Sequence, residues 1–192
     1  MKIGILALQG AFREHENILK ELGIKSTLIK SVSDLEGIDG IILPGGESTA
    51  IGKLLVDFKM LEPLQKMILN GFPTFGTCAG MILLAKNLTN DTRSHLQVMD
   101  IAVKRNAYGK QLDSFTTLGE FKGIDGLVNM VFIRAPYIQS VGKEVDVLAT
   151  VNGNIVGARE GNMLAISFHP ELTKELKVHK YFIDMIQKNL GK

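Results

Sequence analysis

The sequence predicts a three-layer α/β/α sandwich in a single domain, 1–192, with a sheet mostly parallel in its first half and mixed in its second. Three observations carry this. In the first half, apolar strand-like runs alternate with stretches of helical periodicity, which calls for a parallel sheet covered on both faces. The second half holds short β-rich runs separated by Gly, Asn and Asp turns. Between these regimes sits one Gly-x-Cys-x-Gly, at a strand-to-helix turn of the kind where α/β sheets carry their chemistry.

Lys2 to Leu8 opens the chain as a buried strand. From Ala11 to Leu22, Ile18, Leu19 and Leu22 fall at helical spacing, with Gly23 placed to end the helix. Strands are expected at 25–29 and 38–43. The turn Pro44-Gly45-Gly46-Glu47-Ser48 follows, then helix from about 49 to 70, broken near Pro63. A strand over 71–75 leads to the cysteine, and Met81 to Ala85 reads as helix. Beyond it, 98–104, 111–115, 127–133, 145–151, 155–159 and 163–168 read as strands, and Asn152-Gly153 signals a hairpin. A last helix runs from about 174 to 189.

Cys78 is the only cysteine, so no internal disulfide is possible. The flanking glycines suit a turn too tight for neighbouring Cβ atoms. A helix N-terminus at this point favours a thiolate through its free N–H groups and dipole. A thiol nucleophile needs a base, and His169 ends the apolar strand at Phe168, with Glu171 two residues on to orient the imidazole. The other three histidines compete poorly. His15 and His179 fall in charge-rich helical stretches and read as solvated, and His95 falls in a polar loop with no acidic residue nearby. The Gly45-Gly46 turn has three readings, the plainest of them an ordinary tight turn. A phosphate loop is another, although no Walker or dinucleotide glycine pattern is present. The third is an oxyanion hole, with one N–H from Gly46 and one from Ala79.

A net charge of +2, with basic residues scattered, gives no support for nucleic-acid binding. The opening apolar run is too short for a membrane span, and no Cys/His cluster has zinc spacing. The expected location is cytoplasmic and reducing, which suits a working thiol.

Together these segments resemble the class I, triad-type glutamine amidotransferases, and within them the glutaminase subunits of pyridoxal 5′-phosphate synthases. The resemblance rests on Gly4 to Gly10, Leu43 to Thr49, Gly76 to Met81, Arg105-Asn106-Ala107-Tyr108-Gly109, Phe132 to Pro136 and Phe168 to Leu172. It implies a flavodoxin-like three-layer fold and a triad of Cys78, His169 and Glu171. It also implies glutamine binding through Gly46, Glu47, Ser48, Arg105, Ile133 and Arg134. An arginine fork suits the α-carboxylate of L-glutamine better than any other side chain. The implied reaction hydrolyses the glutamine amide through a γ-glutamyl thioester. The ammonia then passes to a partner synthase, a (β/α)8 barrel assembled as a dodecamer. No metal or cofactor is expected.

A free glutaminase would waste glutamine, so the Gly45-Gly46 peptide is the expected place for a reversible defect relieved by the partner, with Gln9 as its sensor. Two rival readings stay open at this level: a stand-alone γ-glutamyl hydrolase of the same fold, and a non-catalytic flavodoxin-like binding module.

Overall fold

The computed structural model describes residues 1–105 and 114–191. Five strands make the parallel part: β1 (Lys2–Leu6), β2 (Lys25–Ile29), β3 (Gly40–Leu43), β4 (Thr74–Thr77) and, from the far end of the chain, β12 (Met163–Ile166). Between them run α1 (Phe12–Glu21), α2 (Ser48–Asp57), α3 (Leu61–Leu69) and the short α4 (Ala79–Leu84). The later strands are β5 (Ala85–Leu88), β6 (Met99–Lys104), β7 (Ser114–Gly119), β8 (Val128–Ile133), β9 (Tyr137–Val141), β10 (Asp146–Val151) and β11 (Asn154–Glu160), and α5 (Lys177–Asn189) closes the chain. Among the described residues ten strands form one sheet, ordered β2-β1-β3-β4-β12-β11-β9-β6-β5, with β10 added beside β11. Beyond β12 the pairing turns antiparallel at β11, β9 and β6, so the sheet is mixed on that side as expected. β7 and β8 pair as a separate hairpin.

Alternation along β3 shows how the layers form. Ile41 and Leu43 pack with Ile51, Leu55 and Leu64 of α2 and α3, whereas Ile42 packs with Ile3, Ile5, Leu19 and Phe182 on the opposite face. Phe75 of β4, fully buried, meets the Phe182 ring at 5.4 Å. Cutting Phe75 to Ala would cost about 3–5 kcal/mol.

The structure corrects several sequence expectations. The stretch 49–70 breaks at Phe58 to Met60, where Lys59 takes φ 57, not at Pro63. Pro63 sits in the first turn of α3, where its missing N–H has no helical partner to lose. Two strands, β5 and β9, were not expected, since neither is a continuous apolar run: β5 alternates little and β9 exposes Gln139 and Ser140. The last helix starts at Lys177, not 174, because Pro170–Leu172 forms a 3-10 turn first. Of the expected strand 111–115, residues 111–113 lie outside the described ones, as do Asn106 to Gly109.

Candidate active site

The end of β4 is built to present one side chain. Cys78 has φ 49 and ψ −100, a conformation that costs a non-glycine residue of the order of 1–3 kcal/mol. The surroundings enforce it. Its N–H donates to Ile166 O of β12 at 2.8 Å, and α4 starts at the very next residue. A Cβ on Gly80 would lie 2.0 Å from Leu43 O, so only glycine lets α4 come this close to β3.

His169 arrives from the neighbouring strand end. Its N–H donates to Val131 O of β8 at 2.8 Å, which ties the hairpin bearing Ile133 and Arg134 to the imidazole. Nδ1 lies 2.7 Å from Glu171 Oε1, and the Cys78 side chain stands close enough to act on the ring. Burial pulls the imidazolium down, yet the hydrogen bonds and charges of Cys78 and Glu171 outweigh it, and His169 is pushed up to about 10 from 6.5. The ring is therefore held as a cation.

The 44–48 turn faces this pair. Gly45 N–H donates to Thr77 Oγ1 at 3.0 Å, and Gly45 O accepts the Ala11 N–H at 2.9 Å. Gly10 makes that approach possible: it has φ +105, and a Cβ there would sit 2.0 Å from Gly45 O. Gln9 Oε1 accepts the Glu47 N–H at 2.8 Å, while the Glu47 carboxylate caps α2 at the Thr49 N–H, 3.2 Å away.

A pocket of about 410 Å³ opens above the sulfur. Gly46, Glu47, Ser48, Cys78, Arg105, Ile133, Arg134 and His169 all line it, so the structure gathers these sequence-expected residues into one place. Glu171 and Ala79 lie behind its wall, both buried. Arg105 pairs with Glu47 at 3.2 Å and with Asp91, a residue sequence reasoning missed. Hydrogen bonds from Arg93 first, and also from Arg105, hold the Asp91 carboxyl well below the usual carboxylate range. Ser48 Oγ is buried with no hydrogen-bond partner among the described residues, an unused polar atom at the pocket wall. Size does not mark the site: clefts of about 660 and 490 Å³ lie elsewhere and contain neither cysteine nor histidine.

The competing histidines need correction. His15 and His179 are fully buried, not solvated, because α1 and α5 turn these polar-looking positions onto the sheet. His95 is half-buried against α2 at Gly52, close enough to Asp91 for its charge to act on the ring. Among the described residues no cluster of His, Cys, Asp or Glu could hold a metal ion, and no helix is long and apolar enough to cross a membrane.

Comparison with known proteins shows the family. Residues 5–188 match the model of the SNO glutamine amidotransferase family. The pyridoxal 5′-phosphate synthase subunit PdxT of Haemophilus influenzae (strain PittEE) is 58% identical over 189 residues, spanning 96% of this chain and 98% of that protein. PdxT of Streptococcus pneumoniae (strain ATCC 700669 / Spain 23F-1) is 56% identical, spanning 96% and 97%. A crystal structure of a glutamine amidotransferase superposes with a TM-score of 0.92 at 43% identity, covering 96% of this chain and 98% of that one.

Proposed function

The chain belongs to the SNO glutamine amidotransferase family, and we propose from that premise that Cys78, His169 and Glu171 hydrolyse the side-chain amide of L-glutamine. It serves as the glutaminase subunit of a pyridoxal 5′-phosphate synthase, in vitamin B6 biosynthesis. The observation that carries the residue roles is the line from Cys78 through His169 to Glu171, with the 2.7 Å Nδ1–Oε1 contact at its end, opening on a pocket walled by two arginines.

In the proposed reaction Glu171 holds Nδ1, which leaves Nε2 to serve Cys78. The sulfur attacks the amide carbon of glutamine and the carbonyl oxygen becomes an oxyanion, met by the Gly46 and Ala79 N–H groups. The C–N bond breaks as His169 gives its proton to the departing ammonia, leaving a γ-glutamyl thioester on Cys78. Water then attacks the thioester carbon and loses a proton to His169. The C–S bond breaks, releasing glutamate and regenerating the sulfur.

Arg105 and Arg134 suit the substrate α-carboxylate, and Glu47 suits its ammonium. Ser48 and Ile133 complete the binding wall. The Arg105–Glu47 pair already sets a positive and a negative group 3.2 Å apart, matching the charge pattern of an amino acid.

The ammonia goes to the synthase subunit, for which we propose a (β/α)8 barrel in a dodecameric core. We further propose that the assembly works in the cytoplasm. Relatives named as synthase subunits favour this over a stand-alone γ-glutamyl hydrolase, and the assembled nucleophile and base speak against a non-catalytic module. Ammonia release from glutamine, measured with and without the synthase, tests the reading. Release that is absent in both conditions refutes it.

A further inference from the structure

Directly behind the proposed triad lie the two histidines that the helical pattern had placed in solvent. His15 of α1 and His179 of α5 are fully buried. His15 Nδ1 is 2.9 Å from His179 Nε2. Its Nε2 is 3.2 Å from Thr77 Oγ1 and 3.7 Å from Glu171 Oε2. Thr77 Oγ1 in turn accepts the Gly45 N–H. One imidazole thus touches both halves of the site: the carboxylate that holds His169 and, through Thr77, the glycine turn.

The hydrogen-bond pattern selects a tautomer. Neither Glu171 Oε2 nor His179 Nδ1 has a hydrogen-bond partner among the described residues. With the proton on His15 Nε2, an N–H faces Thr77 Oγ1 and the carboxylate. His15 Nδ1 then accepts from His179 Nε2–H, and His179 Nδ1 is left as a bare acceptor. The reverse arrangement aims a lone pair at the carboxylate and strands an N–H at His179 Nδ1. Each arrangement leaves one buried donor unmatched among the described residues, Thr77 O–H in the first and His179 Nδ1–H in the reverse, so the Glu171 carboxylate facing His15 Nε2 decides for the first.

Charge state matters equally. Burial first, then the charges of His179 and His169, hold His15 well below its ordinary value, and burial pushes His179 down to about 3. His15 therefore offers Glu171 a dipole without adding a cation that would compete with His169 for the same carboxylate.

We propose that His15 is a positioning residue of the glutaminase site, its Nε2–H bonding Thr77 and facing the Glu171 carboxylate so that His169 and the Gly45 amide keep their places. This rests on the glutaminase reading above, so the test has one arm that needs no glutamine. Full-length His15→Phe, His15→Gln and Thr77→Val proteins are assayed for glutamine hydrolysis with the synthase present. The same proteins are then assayed for Cys78 alkylation by iodoacetamide across pH, with rates normalised to folded protein from thermal melts.

His15→Phe is expected to lower kcat about 10- to 100-fold with KM changed less than about two-fold, the scale of a misplaced catalytic group. Cys78 alkylation at neutral pH should slow about 10-fold, and its midpoint should move to higher pH, as His169 loses a firmly held carboxylate. His15→Gln should recover most of both, because its amide N–H reaches about as far as Nε2–H. A merely structural histidine would lower the melting temperature and leave the alkylation profile of the folded fraction unchanged.

Wild-type kcat and alkylation in folded His15→Phe overturn the proposal. If that variant does not fold, Thr77→Val decides: reduced kcat at unchanged KM supports it and wild-type kcat overturns it. A wild type that hydrolyses no glutamine counts against the functional reading alone, and the alkylation arm then decides the positioning role.

Discussion

His169 Nδ1 meets Glu171 Oε1 at 2.7 Å although only Pro170 separates the two residues in the chain. So short a span works because Pro170 opens a 3-10 turn that brings the carboxylate back beside the ring. The consequence is that Nε2 is the nitrogen available to Cys78.

Removing members of this line should have graded effects. Cys78→Ala and Cys78→Ser are expected to abolish glutamine hydrolysis while the melting temperature stays close to wild type. His169→Asn should be nearly as severe. Glu171→Gln should be milder, since Glu171 orients and does not react. Steady-state ammonia release checks this, and hydrolysis by Cys78→Ala above about one-hundredth of wild type would rule out the nucleophile.

The arginines should act on binding. Arg105→Ala and Arg134→Ala are expected to raise KM for glutamine about 10- to 100-fold, the worth of a charged hydrogen bond, with a smaller loss in kcat. Asp91→Asn should shift KM in the same direction but less, because Asp91, which also pairs with Arg93, reaches the substrate only by holding Arg105. Isothermal titration of inactive Cys78→Ala with glutamine measures the binding step directly. Normal affinity in both arginine variants would assign them to the fold or to an interface.

How legible the molecule is in its sequence depends on which signal each feature leaves. The parallel half and the Cys78 elbow are legible because continuous apolar runs and a glycine-bracketed cysteine leave strong local patterns. β9 leaves none: its burial alternates imperfectly, and the sheet recruits it through pairing with β6 and β11. His15 fails for the opposite reason. Its neighbours Glu14 and Glu16 are charged, and a single buried polar residue on an amphipathic helix looks like part of the wet face. Only tertiary contact with Thr77 and His179 distinguishes it. Asp91 was missed because its partner Arg105 is distant in the chain.

Stability should vary with pH in opposite directions on either side of neutrality. His15 and His179 take up protons near 6.5 when unfolded but resist them when folded, where His179 sits at about 3. Below that unfolded value the unfolded chain holds more protons, so stability falls with falling pH, by about 1.4 kcal/mol per unit for each histidine. His169 runs the other way. Raised to about 10, it contributes fully below 6.5 and loses its contribution as pH rises toward 10. Thermal melts should therefore peak at about pH 6.5–7, and His179→Phe should flatten the acid limb by about one proton. An unchanged acid slope in that variant would refute the buried neutral pair.

The glycine turn should be where partner and chemistry meet. Gly45 O is latched to the Ala11 N–H, which fixes the Gly45-Gly46 peptide in one orientation. Because a trans peptide directs its N–H opposite to its carbonyl, rotating this peptide to redirect the Gly46 N–H must break that bond. Gln9 stands beside the hinge, bonded to the Glu47 N–H, and a Cβ on Gly46 would lie 2.5 Å from Gln9 Oε1 and 3.0 Å from the Gly10 Cα. A partner that displaced Gln9 would free the turn, and a methyl group at Gly46 would obstruct the motion. Loss of one oxyanion donor typically costs about 10²–10³ in kcat, enough to silence an isolated subunit. Synthase binding is therefore expected to raise kcat far more than it lowers KM, and Gly46→Ala should stay impaired even when saturated with synthase. Equal kcat for the free and bound subunit would show that the turn is already competent, and full activity of Gly46→Ala in the complex would show that it does not need to move.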